Sequence, residues 1–282
     1  MAEIAAETID RIITRVNLGS PSYNRLVPIE QVWIAGEQEP IRLPVRRRRV
    51  EVHALQRENR IYELGEFNVI DAAMELVAPL DAEPPSSAVA GGWAAIEALL
   101  TGPGDRERVH AADRMASIVA CSFARAELTS LSYQLESQGG ATSDQLKACT
   151  SNRDRCEVLV KLIQTHNSPM FPKDTDTAAL ARITALLGKP GSILRDVENH
   201  VSTCFRRLYR HRNIVLHGGK TDAVGLRPCL RNAAPLVGAG LDRIAHGWFV
   251  DRLHPLELAA RARLRLDALG TGSGTSVLDL LG

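Results

Sequence analysis

Aromatic residues are scarce in this chain: five Phe, four Tyr and three Trp in 282 residues, or 4%. They are scattered, so a base-stacking platform like that of RNA-binding sheets is not expected. No apolar run reaches the roughly 18 residues that a membrane span needs, and no membrane partner is expected. The opening Met1-Ala-Glu-Ile-Ala-Ala-Glu-Thr8 lacks the basic-then-apolar order of a secretory signal. Cysteines are few and odd in number (Cys121, Cys149, Cys156, Cys204 and Cys229), and none forms Cys-x-x-Cys. That argues against a disulfide framework or a zinc ribbon and fits a reducing, cytoplasmic setting. Neither sign of charge dominates: Lys+Arg 34 against Asp+Glu 33 gives a net charge of +1. Binding to nucleic acid must therefore be local rather than driven by a global field.

Several catalytic signatures are also missing. There is no Gly-x4-Gly-Lys-Ser/Thr phosphate loop, no Gly-x-Ser-x-Gly elbow and no His-Glu-x-x-His. The histidines (53, 110, 166, 200, 211, 217, 246 and 254) never pair at i, i+4. No metal and no cofactor is expected. Lysine is rare, 5 against 29 Arg, and Ala numbers 35. This fits GC-rich codon usage in a bacterial gene, and it discounts any motif built on arginine alone.

What is there is helical. The apolar content, 45%, supports a packed core. Residues 3–16 read as one amphipathic helix on Ile4, Ile9, Ile12, Ile13 and Val16. The stretch to about residue 65 is punctuated by Pro28, Gly36, Pro40 and Pro44 and reads as short strands: Val32–Ala35, Ile41–Leu43 and Val50–Leu55. A helix through 46–64 is the alternative. From Phe67 the period becomes 3.6, with a helix ending before Pro79 and a linker over Asp81–Ser87. Further helices are expected at about 88–100, 105–137, 143–166, 176–187, 191–217, 229–252 and 255–269. The fold class is mainly α: an antiparallel helical bundle with a small N-terminal helix and a short β-strand region. The domains read as 1–86, 87–270 and a Gly/Ser-rich flexible tail over 271–282.

One segment carries a chemical hint. Over 191–219 an apolar stripe runs Leu194, Val197, Val201, Cys204/Phe205, Leu208 and Val215. The stripe position between Leu208 and Val215 is Arg212. A guanidinium there needs an anion, or an opening onto a partner or cleft, because unpaired burial costs several kcal/mol. Tyr209, Asn213 and His217 share an adjacent stripe at spacing four, and Gly218-Gly219 ends the helix just after His217. A fixed cation, an amide and an imidazole are the parts needed to grip a phosphodiester and move a proton. Arg-x4-His alone is weak: Arg48/His53, Arg195/His200 and Arg206/His211 share the spacing. Only Arg212/His217 adds the stripe position, the following Asn and the helix-terminal His.

Leu208-Tyr-Arg-His-Arg212-Asn213-Ile-Val-Leu-His217-Gly218 resembles the Arg-x4–6-His signature of HEPN domains (higher eukaryote and prokaryote nucleotide-binding). Upstream, Trp93-Ala-Ala-Ile-Glu97-Ala-Leu-Leu100 resembles the Trp helix of the Apea-like branch. The resemblance covers about residues 88–250. It implies a helical bundle that dimerises and a metal-independent endoribonuclease, typical of bacterial toxin–antitoxin and anti-phage systems. RNA, a second copy and an antitoxin or defence partner are the implied partners. Carried over by position, Arg212, Asn213 and His217 are the catalytic residues. Arg206, Arg207, Tyr209 and Arg210 are expected along the RNA, and Glu97 is expected to orient a histidine or to pair with Arg212. The run Arg46–Arg49 is a second candidate patch. Two rivals stay open: a non-catalytic helical module that binds a protein or nucleotide, and a DNA-binding regulator using the basic helix 206–217.

Overall fold

The computed structural model describes residues 31–33, 39–42, 48–62, 67–82, 84–165, 169–219, 225–269 and 276–280. The chain forms two compact units, Met1–Arg47 and Arg48–Gly282. In the first, β1 (Gln31–Val32) pairs antiparallel with β2 (Ile41–Arg42), Gln31 opposite Arg42 and Val32 opposite Ile41. The sheet expected over the first 65 residues thus comes down, among the described residues, to two strands of two residues each. The expected helix over 3–16 lies outside the described residues.

The second unit is helical. Its elements are α1 (Ala54–Arg57), α2 (Val69–Ala82), α3 (Pro85–Leu100), α4 (His110–Ser137), α5 (Ala141–Lys147), α6 (Asn152–Gln164), α7 (Asp174–Gly188), α8 (Pro190–Gly218), α9 (Leu226–Phe249) and α10 (Pro255–Ala268). A short 3-10 turn follows at Val277–Asp279. Helix α4 is central and touches α3 and each of α5 to α10. Its sequence explains this. Met115 through Cys121 are buried without a break, so this part of α4 has no solvent face. Its Ala and Ser residues let neighbouring helices approach closely.

Several expectations are corrected here. The helix expected to stop before Pro79 continues to Ala82, with Pro79 inside it. Proline removes one backbone bond but does not end a helix that tertiary packing holds, and here Pro79 lies against Gly91 of α3. Most of the expected linker over Asp81–Ser87 is helical: α2 runs to Ala82, and Pro85 opens α3 at a first-turn position that suits proline. The helix expected over 143–166 is two helices. Ser151 and Asp154 form a reciprocal capping box that restarts the chain at Asn152. Val50–Leu55 is not a strand. Ala54 N–H donates to Asp242 Oδ1 at 2.6 Å and Arg57 Nη2 pairs with Asp242 Oδ2 at 3.2 Å, so this segment straps onto α9 by a carboxylate rather than a ladder. Part of the expected flexible tail is docked: Val277, Leu278 and Leu280 are buried, and Asp279 pairs with Arg153 at 2.6 Å. Residues 271–275 lie outside the described residues.

A buried arginine fastens α4, α5 and α6. Arg155 donates from Nε to Ser132 Oγ at 3.1 Å and from Nη1 to the Leu146 carbonyl at 2.9 Å, pairs with Glu136, and lies 3.9 Å above the Tyr133 ring. With each of its three nitrogens engaged, it is a structural cation. Among the described residues no helix is long and apolar enough to cross a membrane.

Candidate functional site

Helix α8 buries Leu194, Val201, Phe205, Leu208 and Val215, the apolar stripe read from its sequence. Arg212 falls on that stripe and is half-buried. Its Nη1 donates to Asn213 Oδ1 at 3.0 Å. No carboxylate pairs with it among the described residues. The guanidinium is therefore partly withdrawn from water with a neutral amide as its partner. Such a cation retains most of its capacity to bind an anion, because an amide oxygen compensates far less charge than a carboxylate. The bond also fixes Asn213: its oxygen faces Arg212, which leaves its amide donors free.

His217 is exposed on the last turn of α8, and Gly219 follows in the left-handed conformation (φ 62°) that ends the helix. Five residues span about 140° around a helix. Arg212 and His217 of one chain therefore leave α8 in different directions, one toward the packed side and one toward solvent.

The two segments that carry the resemblance are in contact. The Trp93 ring of α3 sits 4.7 Å from the Tyr209 ring of α8, tilted by 46°. Trp93 is fully buried, and its Nε1–H donates to Glu97 Oε2 at 2.7 Å. Glu97 Oε1 lies 3.4 Å from Arg108 Nη1. Glu97 is therefore committed to Trp93 and Arg108, and the expected pairing with a histidine or Arg212 is not made. Tyr209 packs against Trp93 and joins two helices rather than presenting a free ring.

The basic residues around the motif divide into two kinds. Arg206 is engaged: Nε and Nη2 bond both oxygens of Asp113 at 3.0 and 2.6 Å, and Nε also reaches Ser202 Oγ at 3.3 Å. Burial raises the Asp113 pKa, but the bonds from Arg206 and Ser202 outweigh it, and the carboxyl is held below its ordinary value. Arg206 is thus paired with a carboxylate. Arg207 and Arg210 are exposed. Within Arg46–Arg49, Arg46 and Arg47 lie outside the described residues. Arg48 donates from Nη1 to the Leu80 carbonyl at 2.9 Å and is structural. Arg49 is exposed with φ 63°.

A feature missed in the sequence lies beside α8. Asn199, His200, Thr203, Cys204, Arg207 and His211 of α8 form one wall of an open groove of about 720 Å³. Gly225, Pro228, Cys229, Asn232 and Leu236, at the start of α9, form the other. The signal was present as two four-residue ladders, 199/203/207/211 and 228/232/236, but only packing shows that they face each other. Burial and the charge of Arg210 push the His211 pKa down, which favours its neutral form. Its Nδ1 is buried and finds no hydrogen-bond partner. Among the described residues no group of three or more His, Cys, Asp or Glu is arranged to hold a metal ion.

The chain matches no protein-family model, no curated protein and no solved structure.

Proposed function

We propose that this chain is a HEPN-type endoribonuclease that cleaves RNA through its own 2′-OH and acts as a homodimer. The observation that carries the reading is Arg212: a half-buried guanidinium, paired among the described residues only with the amide of Asn213, one turn and a half before an exposed helix-terminal histidine. Arg212 and His217 diverge around α8. Two copies of α8 facing each other would bring Arg212 and His217 of both chains around one phosphate.

In the proposed reaction the 2′-oxygen attacks phosphorus, the P–O5′ bond breaks, and the 5′-oxygen leaves as an alcohol. His217 of one chain takes the 2′-OH proton, and the partner's His217 protonates the leaving oxygen. Arg212 stabilises the extra negative charge of the phosphorane, an interaction stronger in the transition state than with the substrate. Asn213 holds Arg212 through Oδ1 and offers its amide N–H groups to a non-bridging oxygen. Arg207 and Arg210 supply sequence-independent phosphate contacts. In the cell such an enzyme would serve as a toxin or anti-phage effector, held in check by an antitoxin or defence partner.

The test is end-group analysis of single-stranded RNA incubated with the protein, with and without EDTA. The expected result is cleavage that survives the chelator and leaves 2′,3′-cyclic phosphate ends, with DNA of the same sequence intact. Products ending in 3′-OH, or activity that needs Mg²⁺, would overturn the assignment of Arg212 and His217. Light scattering that gives a monomer at micromolar concentration would remove the composite site.

A further inference from the structure

We propose that residues 50–60 form a releasable strap over α9, which opens and closes as one unit while the helices beneath it stay folded. Its contacts, its two ends and the glycine it crosses all point to such a device. None of its residues belongs to the candidate site on α8, so it stands apart from the ribonuclease reading.

The strap is held along one stripe of α9. Gly238, Asp242, His246 and Phe249 follow one another at steps of four, four and three, so they lie on one face of the helix. The backbone of Glu51 crosses Gly238. Asp242 accepts the Ala54 N–H on Oδ1 at 2.6 Å and Arg57 Nη2 on Oδ2 at 3.2 Å. His246 Nδ1 lies 3.0 Å from Glu58 Oε1, and the Arg60 guanidinium sits 5.1 Å from the centre of the Phe249 ring. These ties are mostly polar. Among residues 50–60 only Ala54 is buried, while Val50 and Val52 are half-buried. The helix within the strap, α1, has four residues, far fewer than a helix needs to persist alone. Little apolar area therefore opposes opening, and what closes the strap is concentrated at Asp242.

The ends of the strap are strained. Arg49 (φ 63°), just before it, and Asn59 (φ 54°), near its far end, occupy the left-handed region, which costs an arginine more than an asparagine. The contacts with α9 hold them there, and opening returns that free energy. The chain before Arg49 is fastened separately. The Arg48 N–H donates to the Asp81 carbonyl at 2.7 Å and Arg48 Nη1 to the Leu80 carbonyl at 2.9 Å, both at the end of α2. The movement thus has a boundary at Arg49.

Gly238 is the seat. It is buried, and a Cβ there would come 2.7 Å from Glu51 N and 3.0 Å from Glu51 O. Those are backbone atoms, which cannot swing aside as a side-chain tip can, so a methyl group at 238 displaces the strap itself. Inside a helix alanine is otherwise preferred to glycine. Closed, the strap covers Gly238 and Asp242 and joins the end of α2 to α9; open, it uncovers that face of α9.

The experiment is hydrogen exchange read by mass spectrometry on the full chain, comparing the peptide over 50–60 with one over Met115–Cys121 of α4. In the wild type the strap amides are expected to exchange together, roughly a hundredfold or more faster than those of α4. Gly238→Ala is expected to speed strap exchange about tenfold further, with α4 exchange unchanged or slower, since alanine favours the helix. Asp242→Asn keeps the shape, removes the charge from the bonds to Ala54 and Arg57, and is expected to speed strap exchange by about the same factor. Arg49→Asn acts in the opposite direction: relief of strain in the closed state is expected to slow strap exchange severalfold. Equal exchange of strap and α4 in the wild type would overturn the proposal. So would Gly238→Ala and Asp242→Asn proteins that leave strap exchange unchanged, or that speed α4 by the same factor.

Discussion

Arg206 of α8 clasps Asp113 of α4 with two bonds, Nε to Oδ1 at 3.0 Å and Nη2 to Oδ2 at 2.6 Å, across 93 residues of sequence. The pair ties the helix that bears the candidate site to the central helix. Asp113→Asn keeps the shape and removes the charge. Because the pair is substantially exposed, the expected loss is small, about 0–1 kcal/mol at pH 7. The sign with pH follows from the lowered Asp113 pKa. Its contribution is fully present above the unfolded value, about 3.9, and is lost as pH falls through the lower folded value. Thermal melts should therefore separate wild type from Asp113→Asn at pH 7 and bring them together in strong acid. A gap that widens on acidification would contradict the assignment.

Removing His217 tests chemistry rather than packing, since its side chain is exposed at the helix end. His217→Ala should keep the circular dichroism spectrum and lose about 10²–10⁴ in the rate of RNA cleavage. Retention of full activity would end its role as an acid or base.

Arg212→Lys is charge-conserving and should still be costly. An ammonium cannot reproduce a planar fork that holds Asn213 Oδ1 and also faces phosphate oxygens. A fall of at least tenfold in cleavage rate is expected, with little change in the unfolding midpoint. Wild-type rates in this variant would show that Arg212 acts only as a local charge.

The cysteines should differ sharply in reactivity. All five are free. Burial, together with the neighbouring Cys204, pushes the Cys229 thiol up to about 12, against a smaller opposing effect of Arg207. At pH 8 Cys229 is protonated, and the thiol is a poor nucleophile. Cys149 is partly exposed. Mass-spectrometric timing of iodoacetamide labelling should find Cys149 modified well before Cys229. The reverse order would mean that the start of α9 opens readily.

Two glycines give a matched stability test. A Cβ on Gly91 would run into the Leu76 carbonyl oxygen and meet Pro79 carbons at 3.2 and 3.3 Å, whereas Gly104 has nothing within 4 Å. Gly91→Ala should destabilise by about 1–3 kcal/mol, the usual cost of overpacking. Gly104→Ala should be near neutral in a denaturant titration. Equal effects would mean that α2 and α3 are less closely packed than described.

What could be read in the sequence was whatever rests on neighbours in the chain. The stripe of α8 and the odd place of Arg212 on it follow from helical period alone, and both are present. Local caps were legible but under-read: Ser151 with Asp154, and Ser276 with Asp279, each sit three apart and mark a new start. Pro79 misled because local propensity yields to tertiary packing, here against Gly91. Long-range partners left no trace. Nothing near Arg206 announces Asp113, so a clasped arginine and the exposed Arg207 beside it look alike in sequence. Glu97 had a local clue in Trp93 four residues earlier, but its second partner Arg108 lies beyond the helix end.

The unbroken burial of Met115–Cys121 governs how the helical unit opens. A helix with solvent on one side can fray or detach while the remainder holds. This part of α4 has no such side, and seven other helices lean on α4. Its amides can meet water only when the surrounding helices part together. Their hydrogen-exchange free energy should therefore equal that of global unfolding, while the four-residue α1, held chiefly through Asp242, exchanges by local opening. The candidate site sits between these extremes, with Phe205 and Leu208 of α8 in the slow interior and His217 at its quick end.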